Sequence, residues 1–115
     1  MIACLSTGKG TWIEVLKIID SESWEKIFLV TNEFGLKNFS CKKKVEFIVI
    51  DEKKTAQEIT KDILAQMKNK IQGFEIALNI VSGSGKEHMA LLAALLKLGL
   101  AVRFISFEEN KVVEL

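Results

Sequence analysis

The chain has 115 residues, 49% of them apolar and 27% charged. That is one domain's worth of chain, and it is too apolar to be disordered. Sixteen Lys and Arg against fifteen Asp and Glu leave a net charge of +1, which excludes a globally basic coat for duplex nucleic acid and a strongly acidic tail, though not a local basic patch.

At this length folding buries roughly 65% of the unfolded chain's surface, so one core over residues 1–115 forms without disulfides or metal. The longest apolar stretch, Met89 to Leu96, is far short of the roughly 20 residues that cross a bilayer. The N-terminus has no positive n-region and no cleavage site of the secretory kind. Two lone cysteines, Cys4 and Cys41, and one histidine make neither a disulfide framework nor a zinc site. These features give the expectation of a cytoplasmic domain with no membrane partner, no metal and no cofactor. Fifteen of the sixteen basic residues are Lys, Arg103 being the exception, and Pro and Tyr are absent. This fits an AT-rich genome or a thermophile and carries no function.

In chain order, Met1 to Ser6 reads as a buried strand running into Ser6-Thr7-Gly8-Lys9-Gly10-Thr11. Trp12, Val15, Leu16 and Ile19 then fall at helical spacing, with Glu14 and Lys17 turned outward. Thr11 is the expected N-cap, its hydroxyl accepting from an early helical N–H. Ile27 to Val30 reads as a second strand. A polar loop with room for a short helical turn follows over Thr31 to Lys44, then a third strand from Val45 to Ile50. Thr55 with Glu58 spells a capping box, Ala56, Ile59, Ile63 and Met67 line the inner face of the next helix, and Gly73 is its expected stop. Phe74 to Val81 is the fourth strand. Ser82-Gly83-Ser84-Gly85 forms a second small-residue loop, and Lys86 to Leu98 a helix ended by Gly99. Ala101 to Phe107, a four-residue turn from Glu108 to Lys111, and Val112 to Leu115 read as a closing hairpin.

Strands alternating with helices specify a parallel sheet with right-handed crossovers. The expected fold is therefore α/β: a Rossmann-like three-layer domain with a mostly parallel sheet in the order 3-2-1-4-5 and a C-terminal β-hairpin. In such sheets ligands bind beyond the carboxyl ends of the strands where the order reverses, here between the first and fourth strands. The loops leaving those two strands are the two built from Gly, Ser, Thr and Lys. Glycines bring backbone N–H groups close to an anion, the following helix N-terminus adds partial positive charge, and Lys9 and Lys86 add full charge. Tight strand-to-helix turns need the same residues for purely structural reasons.

Neither loop is a P-loop. That motif needs Gly where Ile80 and Ala3 stand, and Ser or Thr where Glu87 and Gly10 stand. The dinucleotide fingerprint fails at Ile13, and the second strand ends in Thr31 and Asn32 rather than a ribose-binding acid. His88, the single histidine, is a candidate acid or base and equally an ordinary helix-surface residue. Glu108-Glu109 and Lys42-Lys43-Lys44 read as solvated. The helix from Met89 to Leu96 is apolar all round, more than one sheet contact requires, so a homodimer through this helix is expected, against burial under the chain's own loops.

With Asn79-Ile80-Val81-Ser82-Gly83-Ser84-Gly85-Lys86 leaving the fourth strand, an Ala/Leu-rich helix and a closing hairpin, the chain resembles the CARF family, the CRISPR-associated Rossmann fold. The resemblance covers essentially the whole chain, through short motifs. The family's Asn-x-Thr/Ser-Gly-Gly-Thr-Lys signature is matched here with one extra residue between Asn79 and Lys86.

The resemblance implies a homodimer that takes a cyclic oligoadenylate across its two-fold axis. The site would hold Ser6, Thr7, Gly8, Lys9 and Thr11 at the first loop and Ser82, Gly83, Ser84, Gly85 and Lys86 at the second, with His88 beside them. It also implies a metal-independent ring nuclease as one activity: the ligand's ribose 2′-OH attacks the adjacent phosphate, Lys86 stabilises the developing charge, and Ser6 and Ser84 orient it. A sensor that binds without cleaving, and a Rossmann-like protein-interaction domain, remain as alternatives.

Overall fold

The computed structural model describes residues 1–5, 10–71 and 73–115. They form β1 (Ile2–Cys4), α1 (Trp12–Ser21), β2 (Phe28–Thr31), α2 (Glu33–Asn38), β3 (Glu46–Val49), α3 (Ala56–Met67), β4 (Glu75–Asn79), α4 (Gly85–Lys97), β5 (Ala101–Glu108) and β6 (Lys111–Glu114). The strands make one sheet in the order β3-β2-β1-β4-β5-β6. It is parallel from β3 to β5, and β6 returns antiparallel on β5. This is the expected α/β architecture, with the order reversing between β1 and β4.

Alternation along the strands divides the core into two layers. Ile2, Cys4, Val30, Ile48 and Leu78 face α3 and α4, packing on Ile59, Ile63, Leu91 and Leu95. Ala3, Leu5, Leu29 and Ile105 face the other way, onto Trp12, Val15, Ile18 and Ile19 of α1. The central strand is buried on both faces, Ile2, Ala3 and Cys4 each at 0% exposure, as a parallel sheet covered by helices requires.

Several local expectations hold. Thr55 and Glu58 make the reciprocal capping box of α3. Gly99, at φ +75, ends α4: its N–H bonds Leu96 O at 3.0 Å and the Leu100 N–H bonds Leu95 O at 3.2 Å, the paired bonds of a Schellman motif.

One helix end is corrected. α3 stops at Met67, well before Gly73, because Asn69 takes a left-handed φ of 65° and turns the chain. The short helical turn allowed for after β2 is present as the six-residue α2, capped by Asn32 Oδ1 accepting from the Gly35 N–H at 3.0 Å. It is anchored through Trp12, whose ring lies 6.0 Å from Phe34 and 5.6 Å from Phe39. The four-residue turn Glu108 to Lys111 is present as expected: Glu108 pairs with Lys111, and the two central residues, Glu109 and Asn110, both adopt positive φ, the requirement of a type I′ turn. α4 is buried on one side only by its own chain. Ala90, Leu91, Ala94 and Leu95 are buried, whereas Met89 is 60% and Leu96 69% exposed.

Candidate functional site

β1 and β4 lie side by side, Ile2 opposite Leu78 and Ala3 opposite Asn79, so their carboxyl ends are neighbours. Ser6, Thr7, Gly8 and Lys9 of the first loop lie outside the described residues. Gly10 is exposed, and Thr11 is half-buried at the start of α1. Thr11 does not cap through its hydroxyl. Its backbone is already near-helical (φ −94°, ψ −5°), and its side chain makes no cap hydrogen bond among the described residues.

The second loop is built tightly. Asn79 is buried and staples the end of β4. Its Nδ2 donates to Ile105 O at 2.9 Å on the neighbouring strand, and its Oδ1 accepts from the Val81 N–H at 3.2 Å. Ser82 follows at 1% exposure. His88, one turn into α4, points its ring back at this residue, with Nε2 2.7 Å from Ser82 O. A carbonyl only accepts, so Nε2 carries the proton and cannot act as a base from this position.

Gly83 stands at φ +104. A Cβ there would meet Glu87 Oε2 and His88 Nε2 at 3.0 Å and Cys4 Cβ at 3.1 Å, so glycine is required by both conformation and space. Ser84 is the N-cap of α4, its Oγ accepting from the Glu87 N–H at 3.3 Å. Gly85 opens the helix with no heavy atom within 4 Å of where its Cβ would be.

Lys86 turns away from this loop. Its ammonium donates to Glu52 O at 2.6 Å and Lys54 O at 2.8 Å, both in the β3–α3 turn. Cys4, across from Gly83, is the buried nucleophile type nearest the loop. Burial first, and then the Glu87 carboxylate, push its thiol up to about 12, so it is a neutral packing group at physiological pH.

The structure thus brings together Ser82, Gly83, Ser84, Gly85 and His88 beyond the end of β4, leaves Thr11 at the start of α1, and sends the Lys86 side chain elsewhere. It adds three residues not singled out as site residues from the sequence. Asn79 fixes the strand exit, and Cys4 and Glu87 enclose Gly83. Only Asn79 had a signal, as the first residue of the quoted motif. A cavity of about 720 Å³ lies further along the same edge of the sheet, lined by Asn32, Glu33, Phe34, Asp62 and residues 49–54. No group of His, Cys, Asp and Glu among the described residues has the makings of a metal site, and none of the helices there is long and apolar enough to cross a membrane.

No protein-family model, no curated protein and no solved structure matches this chain.

Proposed function

We propose that this domain is a homodimeric binder of a cyclic oligoadenylate, held between the β1–α1 and β4–α4 loops and sensed rather than cleaved. The observation that carries the reading is the exit of β4. Asn79 pins the strand end, and Ser82 to Gly85 deliver the chain without slack into the N-terminus of the 13-residue helix α4. This happens beside the end of β1, where Ser6 to Thr11 depart. Two adjacent loops rich in small residues and backbone N–H groups suit a ligand bearing several phosphates and ribose hydroxyls. The exposed Met89 and Leu96 supply the apolar flank through which a second copy would pair.

Sensing is preferred to cleavage because the groups wanted for phosphoryl chemistry are engaged within the fold. The His88 Nε2 proton is on Ser82 O, and Ser84 Oγ caps α4. The test is calorimetry of the purified protein with cyclic tetra- and hexa-adenylate in EDTA, with chromatography of the recovered nucleotide and a solution molecular mass. Saturable heat, a dimer mass and intact rings are expected. Linear product with a cyclic phosphate end would restore the ring-nuclease reading. A monomer that binds neither ring would overturn both and leave a protein-interaction domain.

A further inference from the structure

Lys86 occupies the second position of α4, where a cation faces the positive end of the helix dipole. Its ammonium reaches across to the β3–α3 turn, 34 and 32 residues away in sequence, and donates to two carbonyls there. Among the described residues, the other hydrogen bonds of that turn are local. Asp51 Oδ1 accepts from the Lys53 N–H at 2.9 Å, the Lys54 N–H donates to Asp51 O at 3.1 Å, and Lys54 pairs with Asp62 at 2.9 Å. Lys86 therefore ties a locally organised turn to the N-terminus of the helix that follows the candidate ligand loop. The same turn supplies one wall of the 720 Å³ cavity, opposite Asn32, Glu33 and Phe34.

We propose that Lys86 is a latch. In the ligand-free protein it clamps residues 52–54 against α4. An anionic ligand on Ser82 to Gly85 competes for the same ammonium, because Lys86 follows that loop directly. When the lysine swings to the ligand, the β3–α3 turn is released and the cavity it walls changes shape. Occupancy at the switch point is thereby passed to the far side of the C-terminal edge of the sheet. The trigger rests on the ligand reading above; the clamp does not.

Hydrogen exchange at the amides of Lys54 and Thr55 tests both halves, measured on the wild type, Lys86→Met and Lys86→Arg, with and without cyclic tetra-adenylate, with calorimetry on the same samples. Without ligand, Lys86→Met is expected to speed exchange of the turn about tenfold while the amides of β1 and β4 stay protected. Lys86→Arg, which keeps a cation, restores most of the protection. Ligand is expected to give the wild type the same acceleration and to add nothing in Lys86→Met. Equal exchange in wild type and Lys86→Met overturns the clamp whatever the ligand does. Measurable binding heat with an unchanged turn overturns the latch and spares the ligand reading. Absence of heat overturns the ligand reading, and the trigger with it, while the comparison of variants still decides the clamp.

Discussion

Gly83 and Gly85 stand two residues apart in one loop, and the structure assigns them opposite responses to an added methyl group. At Gly83 the backbone is at φ +104, a region that costs a residue with a side chain about 1–3 kcal/mol. The new Cβ would also lie 3.0 to 3.1 Å from three atoms. Glu87 Oε2 is the end of a flexible chain and can retreat. Cys4 Cβ belongs to the buried central strand, and the His88 ring is held by its 2.7 Å bond to Ser82 O. Displacing the ring gives up a hydrogen bond worth about 1 kcal/mol, and the residual overpacking adds about 1 kcal/mol or more. Gly83→Ala is therefore expected to lose about 3–5 kcal/mol, a large share of the roughly 5–15 kcal/mol that a domain possesses.

For a chain of this size that lowers the melting temperature by about 12–20 °C, taking roughly 4 °C per kcal/mol. Gly85→Ala meets nothing within 4 Å at the first position of α4. It removes freedom from the unfolded chain and so stabilises by about 0.4–1 kcal/mol. Calorimetry or urea titration of the two variants in parallel checks the pair. A Gly83→Ala protein melting within about 2 °C of wild type, or equal losses at the two glycines, would refute the assignment of Gly83 as a spatially enforced glycine.

Gly35→Ala places a Cβ 1.8 Å from Thr31 Oγ1, forcing this buried hydroxyl off Leu5 O, to which it donates at 3.3 Å. A net loss of about 2–4 kcal/mol is expected in urea titrations, and in combination with Thr31→Ala the loss is smaller than the sum of the two single variants. Thr55→Ala dismantles the capping box of α3 and is expected to lower unfolding free energy by about 1 kcal/mol in the same assay. Cys4 gives a pH signature. The fold holds its proton up to about 12, whereas the unfolded chain releases it near 9.0. Its contribution is therefore fully present below pH 9 and is lost as pH rises from 9 towards 12, by up to about 1.4 kcal/mol per pH unit. Denaturant titrations between pH 8 and roughly 11 should show a shallower decline in Cys4→Ala than in wild type; parallel slopes would contradict the buried-thiol assignment.

What could be read from the sequence divides by the range of the interaction that decides it. The capping box at Thr55, the stop at Gly99 and the β1–β4 switch point all follow from neighbours within a turn, or from strand-helix alternation, and each appears in the structure. The sequence leaves room for α2 but does not fix its bounds, because a six-residue helix has too little periodicity; it is held by Trp12 against Phe34 and Phe39, contacts made in the tertiary fold. Gly73 is the expected end of α3 because glycine is the usual left-handed residue there, but Asn69 reaches that conformation first, as Asn does more readily than other side chains. The turn from Glu108 to Lys111 is legible, but its type is not, since Glu109 at φ 50 is an unusual occupant of a position that Asn or Gly normally fills.

Lys86 shows why the identity of loop residues was easier to read than their use. A Gly-Lys pair at the start of a helix has the chemistry of a phosphate ligand, and nothing nearby in sequence contradicts it. Yet the same helix end that attracts an anion repels the lysine's own charge, and the ammonium is held instead by the carbonyls of Glu52 and Lys54. Any anion at the β4–α4 loop must then compete with two charge-assisted hydrogen bonds, each worth about 1.5–3 kcal/mol. A single weakly held phosphate gains too little from one lysine to displace both. A ligand that presents several phosphates at once, and spreads its contacts over two adjacent loops, can draw on the remaining contacts to do so. The latch thus favours the multiply charged ring proposed here over a simple anion, and it ties selectivity to the same side chain that would report occupancy.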